Sequence, residues 1–386
     1  MPASDNKRIY YAIQQVGLKK DGEVGAFTAI HGCQNVQMAT NFNLEQVFEL
    51  GQLSIYENRE QIPDVEVTLN KVLDGYPLIY LLATRDAPNP TLAGRSNAKA
   101  IFGLAIFDDD SESATGTPNS VVQCSGMFTN SIGYNFPLDD NFNEDVTLVG
   151  NDKVWLNDPK ATNPGLPTPS FAGQFTTGTD APIGVGGVNR REQMNFTYDS
   201  GEGLDINGMV ADVDCTILPP EVFGISDSGT NEKTNGADFD AHLSSITVSA
   251  DLAREEINEL GRRGPYHRSV TFPIEVTCEI EVTSTSGDMI SATEDGIYNT
   301  GVGACENGSN LRDSTIRIAT CEGTRLYLGV RNKLSSVNYS GGDAGGGNVT
   351  VTYSFTTFND FTVMHSGDPN ANFAWSGRET YLRDVA

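Results

Sequence analysis

The chain has 386 residues, enough for two or three domains at about 150 residues each. Hydrophobic residues make up 38% and charged residues 20%, with 40 Gly and 17 Pro. That is a globular composition rich in turns, and it excludes collagen-like and wholly disordered chains. The net charge is −26, from 25 Lys plus Arg against 51 Asp plus Glu, so a role in gripping nucleic acid non-specifically is not expected. A surface that DNA slides past without sticking is compatible with it.

No apolar run approaches the ~18 residues of a membrane helix. Near the N-terminus, Gln14 and Gln15 interrupt the apolar stretch after Lys7 and Arg8, so no secretory signal is expected. The first strand pattern runs through Val36, Met38 and Phe42. Residues 44–50 then read as a short helix, stopped by Gly51, and Val65 opens a second alternating strand. Residues 158–187 carry five prolines among many Gly and Thr and read as linker or loop. Residues 194–198 and 209–217 suggest strands that belong to the second domain, and 223–239 is again turn-rich. A strand through Ile246, Val248, Ala250 and Leu252 leads to a second short helix at 254–260, stopped by Gly261. Ile274, Val276, Cys278, Ile280 and Val282 alternate with polar residues, as do Val349, Val351, Tyr353 and Phe355. Period 2 of this kind marks sheets with one buried and one wet face.

The organising feature is an internal duplication. Residues 36–63 lie on 246–273 at a constant offset of 210 (246 − 36), matching Glu49-Leu50-Gly51 with Glu259-Leu260-Gly261, Tyr56 with Tyr266 and Pro63 with Pro273. A one-residue slip then sets Val65 on Ile274. The expected organisation is a first β domain at 1–157, a Pro/Gly/Thr-rich insertion or linker at 158–240, and a second β domain at 241–386.

Catalytic signatures are missing from the sequence: no GxSxG, Walker A, GxGxxG or HExxH occurs. His31, His242, His267 and His365 are scattered, and no cysteine stands at metal spacing. The six cysteines read as mostly buried thiols. The acidic runs at 108–112 and 139–145 read as solvated turns; the second lacks the glycine and the closing acid of a calcium loop. No cofactor and no enzymatic activity is expected. The most basic stretch is Arg262-Arg263-Gly264-Pro265-Tyr266-His267-Arg268, whose counterpart in the first repeat carries Glu57, Arg59 and Glu60. Opposite charge at equivalent places suits a contact between repeats of neighbouring chains, so Glu57, Glu60, Arg262, Arg263, Tyr266 and Arg268 are the expected contact residues.

The phrases EINELG, RRGPY, FPIEVTCEIEV and VTVTYSFTTFNDFTV, with VFELG and IYENREQIPDVEVTL in the first repeat, resemble the tail tube proteins of tailed bacteriophages. The resemblance covers most of both repeats and leaves out residues 158–239. It implies a mainly β fold of two tandem tube-type sandwich domains, each with a short flanking helix, whose inner sheets close a barrel across subunits. It also implies homo-oligomeric rings, a trimer acting as a pseudo-hexamer in preference to a hexamer, stacked into a tube in the virion tail after assembly in the host cytoplasm. Partners would be further copies of the chain and other tail proteins such as sheath, terminator or baseplate, with DNA passing through unbound and no membrane. On that reading Glu66, Glu275, Glu279 and Glu281 line the lumen. Two other classes stay open: a β-rich adhesin, decoration or baseplate component, and a carbohydrate-active enzyme with carboxylates that no motif reveals.

Overall fold

A computed structural model describes residues 9–23, 26–107, 118, 120–156, 175–176, 187–194, 197–198, 217–218, 222, 241–261, 264–284, 313–320, 322–341 and 347–365. The first half contains β1 (Gln14–Lys20), β2 (Phe27–Ala29), β3 (Cys33–Asn41), β4 (Leu44–Phe48), β5 (Ile55–Glu60) and β6 (Asp64–Val72). Helices α1 (Ile79–Ala83) and α2 (Leu92–Arg95) follow, then β7 (Ala100–Ile106), β8 (Ser120–Pro137), β9 (Asn143–Gly150) and β10 (Val154–Leu156). Short strands β11 (Phe175–Thr176), β12 (Thr197–Tyr198) and β13 (Ile217–Leu218) precede the second half. That half holds β14 (Ala241–Asp251), β15 (Arg254–Ile257), β16 (His267–Val270), β17 (Glu275–Ser284), β18 (Arg317–Ala319), β19 (Thr324–Tyr327), β20 (Lys333–Ser340), β21 (Thr350–Phe358) and β22 (Thr362–His365). The chain is mainly β, as the alternating pattern requires.

Eight antiparallel strands form one continuous ladder in the order β3-β6-β9-β8-β14-β17-β21-β20. Its apolar face packs into a single core shared with β1, β7 and α1, whose five residues are all buried. The long β8 serves two layers: residues 120–127 pair with β7, and residues 128–137 pair with β9 and β14. Gly126, at φ 64°, lies where it changes partners. Strands β12 and β13 join β18, β19 and β22 of the second half in a separate five-stranded sheet. Of the strand pattern at 194–198, β12 covers residues 197–198, and the pattern at 209–217 reaches the described residues only at Ile217.

The backbone repeats as the sequence does. Asn43 and Ala253, 210 residues apart, are both left-handed (φ 46° and 40°), a conformation unfavourable for non-glycine residues. Each is held by the same turn, in which its N–H donates to the side chain two residues back: Asn41 Oδ1 at 3.2 Å and Asp251 Oδ1 at 3.0 Å. A β-bulge falls between Cys33 and Asn35 in β3, and between Leu243 and Ser245 in β14. Another falls between Thr129 and Ser131 in β8, and between Leu334 and Ser336 in β20. The strands β3, β6, β9 and the second part of β8 therefore correspond, one for one, to β14, β17, β21 and β20.

Two expectations are corrected. Residues 44–50 and 254–260 are not helices. They enter two-stranded hairpins, β4 with β5 and β15 with β16. Leu44, Phe48 and Leu50 are exposed, so no core surface is present to bind one side of a helix. Gly51 and Gly261 have φ of 91° and 83°; Gly51 lies in a turn closed by Gln52 N–H to Glu49 O, and neither glycine ends a helix. The slip after the shared proline also runs the other way. Val36 pairs with Leu69 and Ile246 with Ile280, so Leu69 corresponds to Ile280 and Val65 to Val276. Ile274 is the added residue, and a two-residue error leaves every side chain on its proper face, which is why alternation could not detect it.

Candidate functional site

The face of the eight-stranded sheet that turns away from the core is polar along its whole width. Glu66, Asp145, Asp251, Glu275, Glu279 and Glu281 lie on it, among many Ser, Thr and Asn. The four glutamates picked from sequence share this face, while their strand neighbours Val67, Val276, Cys278, Ile280 and Val282 are buried. Many of the polar side chains bond to one another across strands. Ser249 and Thr277 hydroxyls meet at 2.7 Å, Thr68 and Thr147 at 3.4 Å, Asn70 Nδ2 donates to Asp145 Oδ1 at 2.7 Å, and Ser245 Oγ to Glu281 Oε2 at 3.2 Å. Some donors are thus consumed within the surface, and carboxylates remain outward. A phosphate, which only accepts hydrogen bonds and is repelled by carboxylates, finds little to hold it. Lys333, at the margin of the face, is paired with Asp313 at 2.9 Å.

Strands β8 and β14 join the two halves into this sheet. Residues Ser131–Pro137 run antiparallel to Ser245–Asp251, with Tyr134 opposite Val248 and Asn135 opposite Thr247. The seam is sealed: Ile132, Tyr134, Phe136, Ile246, Val248, Ala250 and Leu252 are all buried. The β15–β16 hairpin clamps it. Leu252 N–H donates to Asn130 O at 2.8 Å, and the Arg254 guanidinium donates to Thr129 O at 2.6 Å and Ser96 O at 2.5 Å while lying 4.7 Å from the Phe128 ring. Burial pushes the Arg254 pKa down to about 10. Arg268 bridges Glu256 of its own hairpin and Asp64 of the first half (2.6 Å to Asp64), with Nε donating to Asn151 Oδ1 at 3.2 Å. Burial disfavours the Asp64 carboxylate, but hydrogen bonds from Asn43 and Arg268 outweigh it and hold its pKa below the ordinary value.

Of the expected contact residues, Glu57 and Glu60 stand exposed on β5, and Tyr266 is exposed beside the second hairpin. Arg268 is only 8% exposed and is turned inward between the halves of its own chain. Arg262 and Arg263 lie outside the described residues, as does the acidic run at 108–112. In the other acidic run, Glu144 is fully buried and accepts from Ile79 N–H (2.6 Å), Tyr80 N–H (3.1 Å) and Tyr134 OH (2.9 Å), so it caps α1. Burial raises its pKa against those hydrogen bonds. Among the described residues no group of three His, Cys, Asp or Glu could hold a metal ion. Cys124 and Cys278 are buried, with pKa values pushed up by burial to about 12, and Cys33 is partly buried. Cys215, Cys305 and Cys321 lie outside the described residues.

Sequence reasoning missed the sheet's two outer edges. Among the described residues, no strand pairs with the outer side of β3 or of β20. Both edges carry apolar side chains that correspond to buried ones in the seam. Phe42 is 58% exposed where Leu252 is 1%, and Tyr339 is 57% exposed where Tyr134 is 1%. The signal was present in the repeat itself, because both members of each pair are large and apolar; which copy lacked a neighbour was not.

No family model matches the chain, and no curated protein matches it. Solved structures similar to parts of it include a component of the anti-feeding prophage baseplate (12% identity, 39% of this chain and 97% of that one, TM-score 0.30). A component of the cap that terminates the anti-feeding prophage tube shows 12% identity over 41% of this chain and 99% of that one, with a TM-score of 0.28. A component of the sheath–tube complex of an extracellular contractile injection system shows 11% identity over 40% and 94%, also with a TM-score of 0.28. These likenesses are partial and distant, and the functional reading rests on the sheet itself.

Proposed function

We propose that the protein is a structural virion component that polymerises into stacked rings and forms a tail tube, with the polar face of the eight-stranded sheet lining the channel for DNA. The observation that carries this reading is the pairing of that face with two open edges. One side of the sheet is acidic, with several of its donors bonded to neighbours across strands, suited to a wall that polyanions pass, and the sheet ends in strands that want partners. Closing the sheet across copies puts the acidic face on a concave surface shielded from the core. Glu66, Glu275, Glu279 and Glu281 then face the lumen. The hairpin tips at Leu50, Leu53 and Leu260, all fully exposed, project from the sheet and supply apolar contacts between successive rings.

The test is negative-stain electron microscopy of the purified chain across a concentration series. Hollow filaments with end views of threefold or pseudo-sixfold symmetry are expected. Single rings that never stack would assign the chain to a baseplate or terminating ring, and a persistent monomer at high concentration would end the tube reading.

A further inference from the structure

We infer that a second copy of this chain completes both open edges by repeating, between molecules, the seam that β8 and β14 make within one. The inference deepens the tube reading and rests on it in requiring that copies assemble. Its own ground is the backbone correspondence. β14 corresponds to β3 at an offset of 210, fixed by the shared left-handed residues and the shared bulge. The second part of β8 corresponds to β20 at an offset of 205 (333 − 128), fixed by the bulges at Thr129/Ser131 and Leu334/Ser336. The observed β8–β14 register therefore transposes without adjustment. Asn135 opposite Thr247 becomes Ser340 of one copy opposite Gln37 of the next, Tyr134 opposite Val248 becomes Tyr339 opposite Met38, and Gly133 opposite Ser249 becomes Asn338 opposite Ala39.

The side chains fit the transposition. Gln37, Ala39, Asn338 and Ser340 fall on the polar face and continue it across the junction, as Thr247 and Asn135 do in the seam, where their side chains meet at 3.4 Å. Val36, Met38, Val337 and Tyr339 fall on the apolar face and are only partly covered in the single chain. The clamp transposes as well. Leu44 to Glu60 in the β4–β5 pairing corresponds to Arg254 to Val270 in β15–β16, so the first hairpin lies over the second half of the neighbour. Phe42 then takes the place of Leu252, its N–H opposite the Ser335 carbonyl of the next copy as Leu252 N–H meets Asn130 O. Where the internal clamp uses Arg254 and Arg268, the external one presents Leu44 and Asn58, so the outer junction is the more apolar. The contact joins two different edges, head to tail, and the same operation repeated closes a ring.

The experiment uses the full chain with Gln37→Cys and Ser340→Cys together, treated with a short bifunctional thiosulfonate and read on a denaturing gel beside electron micrographs of the same sample. Ala39→Cys with Asn338→Cys is a second in-register pair at exposed positions. Gln37→Cys with Ser336→Cys is the off-register control, displaced by four residues or about 13 Å along the strand. Each single-cysteine variant reports the background from native thiols. Covalent multimers at least tenfold more abundant for both in-register pairs than for the control are expected. Rings or tubes without that preference overturn the register and leave the tube reading standing. Cross-linked multimers that form no ring support the edge contact and remove the tube. A folded chain that stays monomeric at every concentration refutes both.

Discussion

Tyr134 and Tyr339 occupy the same place in two repeats of one chain, and only one of them is buried. At the seam, β14 lies beside Tyr134, the hydroxyl reaches Glu144, and the ring is sealed. At the outer edge the same residue type on the same kind of strand keeps more than half of its surface open. Burial here is decided by what lies next to the strand and not by the side chain. An exposed row of apolar residues at the end of a sheet is a liability for an isolated molecule. Its presence at the positions where the seam has its own apolar row is what the proposed junction between copies requires.

The largest test of that difference is one substitution made twice. Tyr134→Asp places a carboxylate beside Glu144 in the core and is expected to cost about 4 kcal/mol or more, enough to lose the first half's fold. Tyr339→Asp is expected to change monomer stability by about 1 kcal/mol at most while abolishing assembly. Chemical denaturation and sedimentation velocity read the two effects separately. Equal loss of stability from both would erase the distinction between seam and edge.

A smaller effect is expected at the clamps. Arg268→Ala leaves Glu256 and Asp64 without their shared cation and is expected to cost about 2 kcal/mol. Asn58→Ala, at the corresponding place in the first hairpin, should leave the denaturation midpoint of the monomer unchanged. The comparison fails if the second variant destabilises as much as the first.

The smallest effect is a pH dependence confined to the seam. The Asp64 pKa is lowered in the folded chain from an ordinary 3.8. Its contribution is therefore complete above about pH 3.8 and is lost as pH falls through the lowered folded value. Asp64 is partly exposed, so solvent screening keeps the loss under about 1 kcal/mol. Urea midpoints measured from pH 5 to pH 2.5 should fall more for the native chain than for Asp64→Asn; parallel curves would show that the ion pair adds nothing.

The sequence carried the duplication and the buried face of β14, β17 and β21, because alternation over seven or more residues fixes which side of a strand meets the core. It misread the hairpins. Leu44, Val47, Phe48 and Leu50 are spaced as a helix face would be, and Gly51 follows as a helix stop would. That spacing gains meaning only when a core lies beneath it, and this segment stands away from the core. The double duty of β8 was equally hidden, since one 18-residue strand with two glycines inside gives no sign that its two parts join different layers. That Glu66, Glu275, Glu279 and Glu281 share the face turned from the core was legible because a strand's wet face follows directly from its dry one. The edges were not, because an edge is defined by an absent neighbour and no residue encodes an absence. Arg268 drew notice for its charge, but which surface that charge would meet depended on β16 folding back over the first half.

The covalent fusion of the two repeats changes the statistics of assembly. In a ring built from such chains, every second junction is already made when the polypeptide folds. Only the alternate junctions carry the loss of translational and rotational freedom that association entails, about 4–15 kcal/mol each. With the proposed junction, dilution would act on half of the contacts around the circle, and a partial ring would break at Met38 and Tyr339 before it broke at Val248 and Tyr134.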